Sequence, residues 1–146
     1  MRLGRLNVHL LSDGMIKRDG GMVFGMVPKV IWEQRVRPDR RNRIRLGINC
    51  VLIQAPEGNI LIDTGVGTKY DDEQKEMHGI GNSKLLRELR DRDLSAKDID
   101  TVVLTNLHFD RAGGSTKRNR KGEVVPPYPK ARSLAHRAAW EAAVRP

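Results

Sequence analysis

The chain has 146 residues, 38% hydrophobic and 31% charged, with a formal charge of +9, which fits one globular domain with its own core. No window approaches the roughly 18 apolar residues of a membrane-spanning helix. The N-terminal MRLGRLNVHLLSDG lacks the apolar length and cleavage site of a secretory signal, so a cytoplasmic address is expected, and a single cysteine, Cys50, excludes an intrachain disulfide.

In RLNVHLLSDG, Leu6, Val8 and Leu10 alternate with Asn7 and His9, the period of a half-buried strand that is expected to stop at Asp13-Gly14. The glycine-rich DGGMVFGMVPK (19–29) reads as a loop that tucks Met22, Phe24 and Met26 inward. Two apolar runs, 44–55 and 59–65, are joined by PEGN and predict a β-hairpin, with Cys50 buried in its first strand. The segment GVGTKYDDEQKEMHGIGN (65–82) reads as an exposed loop, with His78 solvated.

Residues 83–92 form the clearest helix, with Leu85, Leu86 and Leu89 on one face and Ser83 or Asn82 as its cap. Its wet side offers two i,i+4 ion pairs, Arg87/Asp91 and Glu88/Arg92. TVVLT (101–105) is a buried, β-branched strand. ARSLA reads as a short strand, and HRAAWEAAV as a final helix with a structural His136. Strand, hairpin, helix, strand, short strand and helix make a mixed α/β layered domain over 1–146, without repeats or linkers.

The charge excess lies in two runs. Arg35–Arg45 holds six Arg against one Asp, and Lys117–Lys121 holds four bases and no acid. Both read as solvated loops. Neither is interleaved with the aromatics of a single-strand nucleic-acid platform, so nucleic acid is not the expected partner.

TNLHFDRAGG (105–114) follows the buried strand directly. Asn106, His108 and Asp110 are spaced by two, and alternate residues of extended chain point the same way. Arg111 follows, and Gly113-Gly114 permits a sharp turn. One His and one Asp at this spacing suit a metal loop and equally suit an ordinary polar loop.

The segment TVVLTNLHFDRAGG resembles the metal-binding loop of the metallo-β-lactamase fold superfamily, which reads His-x-His-x-Asp-His after a buried strand. NILIDTGVG is similar to that fold's strand ending in Asp-Thr-Gly. DGGMVFGMVPKVIWE, NRIRLGINCVLI and VPPYPKARSLAHRAAWEAA resemble its lactonase-like hydrolase branch.

The resemblance implies half of an αββα sandwich, the N-terminal one, with a mixed sheet and flanking helices. The chain is then an incomplete or degenerate member, with weak or no activity alone. It further implies His108 as ligand of a first zinc and Asp110 as ligand of a second and as the catalytic carboxylate. Asn106 and Arg111 stand at replaced ligand positions lining the pocket, and Asp63 braces the loop from behind.

In intact relatives a zinc ion would lower the pKa of bound water towards ~7 and polarise a scissile carbonyl or phosphoryl group. The implied substrate is a small lactone, another ester or a phosphoester. Asn is a poor ligand for zinc, and Arg is none. Two alternatives follow: a non-catalytic protein using Asn106 and Arg111 to hold an anion, or a mono-zinc β-lactamase-like enzyme, for which a Cys after Asp110 would be expected and none follows.

Overall fold

The structure is a computed structural model that describes residues 1–145. Strand β1 (Arg2–Leu3) pairs antiparallel with β2 (Leu6–Asp19). β2 does not stop at Asp13-Gly14 as expected. Gly14 takes φ 112 and the chain continues extended to Asp19. The Asp13 side chain is turned inward onto other segments rather than closing a turn on its own backbone.

The predicted loop at 19–29 holds one short helix and leads into a second, α1 (Gly20–Phe24) and α2 (Lys29–Trp32). Asp19 caps α1 by accepting the Met22 amide at 2.9 Å. Phe24 stacks on Trp32 with centroids 4.9 Å apart. Met22 and Met26 are not tucked in, being 70% and 100% exposed: a helix this short turns one side inward, and Phe24 takes it.

Strands β3 (Arg43–Ala55) and β4 (Gly58–Ile62) form the predicted hairpin, closing at Ala55↔Gly58. Within the segment read as a loop lies α3 (Asp72–His78). Its signal was present: Asp71 accepts from the Gln74 amide while the Gln74 side chain accepts from the Asp71 amide, a capping box. His78 closes that helix and is half-buried.

Helix α4 (Leu85–Arg90) buries Leu85 and Leu89, while Leu86 stays 37% exposed. Both predicted ion pairs form, Glu88–Arg92 at 3.1 Å and Arg87–Asp91 at 4.0 Å. The cap differs: neither Ser83 nor Asn82 caps the helix, whose first free amides, Lys84 and Leu85, donate to Asp13. A buried carboxylate from β2 outcompetes the local hydroxyl, and Ser83 itself donates to it.

Strand β5 (Thr101–Leu104), helix α5 (Phe109–Ala112), the β6 (Lys117–Arg118)–β7 (Val124–Val125) hairpin, β8 (Arg132–Ala135) and α6 (Arg137–Val144) complete the chain. His136 caps α6 through Nδ1, which accepts the Ala138 amide.

The main sheet runs β1-β2-β3-β4-β5-β8. The β3–β4 pair is antiparallel and the β4–β5 and β5–β8 pairs are parallel, so the expected mixed sheet with helices is present.

The chain divides into two compact units, one of residues 1–14, 48–70 and 82 onward, the other of 15–47 and 71–81. The first unit holds the main core. Leu11, Cys50, Leu52, Leu61 and Val102 from the strands meet Leu85 and Leu89 of α4, with Ile99 and Tyr128. Cys50 and Leu52 alternate onto the same face at 1% and 0% exposure, as a period of two requires. At the sheet edge, Leu134 of β8 and Trp140 of α6 are 40% and 59% exposed and line an apolar groove with Leu104 and Leu107. In the second unit, Asp39 binds Arg43 at 3.0 Å and Lys17 at 3.5 Å.

Candidate functional site

The parallel strands β4 and β5 end side by side, which brings the segments after them together. Asp63 follows β4 with φ 59, a left-handed conformation unusual outside glycine. Its amide donates to Val103 O at 2.8 Å. Its carboxylate, with the residue 4% exposed, accepts the Thr105 amide at 2.8 Å and the Thr105 hydroxyl at 2.9 and 2.8 Å. The first residue after β5 is thereby fixed to the first residue after β4.

Asn106 and His108 are exposed and Asp110 and Arg111 half-buried. Asn106 turns back on its own loop, with Oδ1 accepting the His108 amide at 2.9 Å. This side-chain turn ends the extended run and leads into α5, with His108 at its N-cap. Arg111 Nη1 lies 3.6 Å from Asp63 Oδ2 and donates to Asn49 O at 3.3 Å, and Nε lies 3.9 Å from Asp110 Oδ2. The structure therefore brings Asp63, Asp110 and Arg111 into one cluster, whereas Asn106 and His108 are exposed.

The two glycines act otherwise than expected. Gly113 has φ −56, an ordinary helical value. What excludes a side chain is space: a Cβ on Gly113 would lie 2.5 Å from Val66 O, and one on Gly114 would collide with Thr64 O. The loop presses on residues 64–66, with Thr64 N and Oγ1 donating to Arg111 O at 2.7 and 3.0 Å and Gly114 N donating to Gly65 O at 2.9 Å.

Three residues around the loop were not singled out from the sequence. Lys69 Nζ donates to Gly113 O at 2.6 Å and to Thr116 Oγ1 at 2.8 Å, and burial lowers its pKa. Tyr70 meets Phe109 edge-on at 6.0 Å, and burial, then the Asp110 charge, raises its pKa. Asp13, 2% exposed, accepts the Val66 and Gly67 amides at 2.9 and 3.2 Å. Asp13 is followed by Gly14 in a run that reads as a strand end, so no local signal marks it.

The described residues do not by themselves make up a zinc donor set. A zinc site uses three protein ligands plus water, or four protein ligands. Among the described residues no three His, Cys, Asp or Glu side chains are placed to share an ion. His108 and Asp110 are the loop's two donors, the Asn106 oxygen is taken by a backbone amide, and Arg111 presents a cation that cannot lose its proton. Cys50 is 1% exposed, and burial first of all, then the charges of Asp13 and Asp63, pushes its thiol up to about 12.

The profile described as "Metallo-beta-lactamase superfamily" matches residues 43–144. The N-acyl homoserine lactonase AiiB of Rhizobium rhizogenes is 34% identical over 112 residues, which cover 70% of this chain and 37% of AiiB. The crystal structure of a probable metal-dependent hydrolase from Staphylococcus aureus superposes on 99% of this chain with a TM-score of 0.88 at 33% identity, using 52% of its own length. AidC, a dizinc quorum-quenching lactonase solved with N-hexanoyl-L-homoserine as product, superposes on 97% with a TM-score of 0.73 at 25% identity, using 45% of its length. The chain thus spans little more than a third of AiiB and about half of the two solved structures. No helix among the described residues is long and apolar enough to cross a membrane.

Proposed function

The chain belongs to the metallo-beta-lactamase superfamily, and on that premise we propose that it is a lactonase-like hydrolase-fold protein whose own residues support little or no turnover. Its substrate class is a small lactone, another ester or a phosphoester. Its 146 residues form one domain, the half of the αββα sandwich that carries the loop after β5.

One observation supports both halves of the reading. The loop at 105–114 keeps the family's position behind a buried strand, tied to Asp63 through Thr105. Of the side chains at its four ligand positions, only those of His108 and Asp110 remain donors. Any hydrolysis by this chain rests on those two residues. The anion-binding alternative asks more of Arg111, whose charge already faces Asp63 and Asp110.

The test is an assay of the purified chain on an N-acyl homoserine lactone, an aryl ester and an aryl phosphotriester, with and without added zinc. Rates at the uncatalysed background are expected. Zinc-dependent turnover that disappears in both His108→Ala and Asp110→Asn would overturn the proposal of a weak or inactive site. Tight binding of acetate or phosphate, lost in Arg111→Ala, would replace the hydrolase reading with the anion-binding one.

A further inference from the structure

We infer that Arg111 is a resident cation, which takes the charge-compensating place of a metal ion between Asp63 and Asp110 and holds the 105–114 loop folded without one. Asp63 is the reason a cation is needed. Its side chain is 5% exposed, and a buried carboxylate without a compensating charge is strongly destabilising. Thr105 satisfies it with hydrogen bonds from an amide and a hydroxyl, but these bring no net charge. The positive charge comes from the Arg111 guanidinium at 3.6 Å, which reaches Asp110 at 3.9 Å on its other edge.

The position of the guanidinium is built, not incidental. The Arg111 carbonyl accepts two hydrogen bonds from Thr64, and Nη1 donates to Asn49 O. The backbone of residue 111 is therefore fixed from the β4 side and its side chain from the β3 side. Thr105 at the start of the loop and Arg111 further along it both close on Asp63. A divalent ion arriving at Asp110 would meet a fixed guanidinium already there. The inference stands on this geometry and not on the hydrolase reading, since a chain with no substrate at all would carry the same cation.

The experiment compares the full wild-type chain with Arg111→Met, Arg111→Lys and Asn106→His/Arg111→His, using zinc alone as the probe. Melting curves are recorded with EDTA and with zinc, and bound metal is measured after equilibrium dialysis. The wild type is expected to hold no stoichiometric zinc and to melt at the same temperature in both buffers. Arg111→Met should melt lower, and Arg111→Lys should recover part of the loss, which a purely steric role would not give. Asn106→His/Arg111→His should bind zinc at least tenfold tighter than the wild type and be stabilised by it.

A cycle of Asp63→Asn with Arg111→Met covers the case in which one variant is poorly folded. Removing both charges should cost less than the sum of the single losses. Strictly additive losses, or a wild-type chain that zinc stabilises through His108, would overturn the inference.

Discussion

Replacing Asp13 tests whether one buried carboxylate holds three segments of the first unit together. Its Oδ1 accepts Ser83 Oγ and the Lys84 and Leu85 amides, and its Oδ2 accepts the Val66 and Gly67 amides. Asp13→Asn keeps the shape but turns one acceptor into a donor. In either orientation of the new amide, at least two N–H groups then face an N–H₂. A hydrogen bond to a charged acceptor contributes about 1.5–3 kcal/mol, and neighbouring losses are not additive, so a loss of about 3 kcal/mol is expected. Against the roughly 5–15 kcal/mol of a typical domain that is a large share. Urea unfolding followed by circular dichroism should show the midpoint falling by about 1–3 M, given typical urea slopes of about 1–3 kcal/mol per molar. The loop at 105–114 should loosen as well, because Asp13 holds Val66, whose carbonyl Gly113 closely approaches. A loss below about 1 kcal/mol would refute the view that these five contacts act as a cap and clamp.

Gly114→Ala, which must displace the Thr64 carbonyl, should cost about 1–3 kcal/mol as overpacking. Gly122→Ala, with open space but φ 81, should cost about 1–2 kcal/mol from backbone strain alone, and calorimetry on the two compares them. The Asp39 carboxyl is lowered to about 2, chiefly by the Arg43 backbone N–H and then by the Arg43 side chain. Its contribution is therefore complete above the ordinary carboxylate pKa and lost as pH falls through about 2. Asp39→Asn should flatten that acid limb in melting curves, and an unchanged limb would count against the assignment. Cys50, buried and with its thiol raised to about 12, should resist a disulfide reagent at pH 8 in the native chain and react fully in denaturant. Rapid native labelling would refute its burial.

What was legible in the sequence was carried by local periodicity. β3, β4 and β5 follow from runs of β-branched and aliphatic residues, and α4 from Leu85 and Leu89 at helical spacing. Helices α1, α2, α3 and α5 were not, because none of them buries two apolar residues at helical spacing as α4 does. For α3 the readable signal was the pair Asp71 and Gln74 rather than hydrophobicity. The cap of α4 could not be read locally at all, since its acceptor lies 71 positions away from Lys84. The same holds for the glycines of the loop: a φ argument suggested a turn, whereas the restriction comes from carbonyls of a separate segment.

The site divides along the same line. The position of 105–114 follows from the strand before it, and so it was visible. Its state depends on what the side chains do once folded, and there Asn106 and Arg111 carry the information. Asn106 spends its oxygen on the His108 amide, and Arg111 spends its charge on Asp63 and Asp110. Asn106 gives a partner to an amide at the start of a short helix, and Arg111 gives a counter-charge to a buried carboxylate. A loop that had only lost ligands would leave Asp63 uncompensated and should be unstable. On the resident-cation proposal, Arg111 supplies the charge that lets this loop keep its place behind β5 without a metal ion.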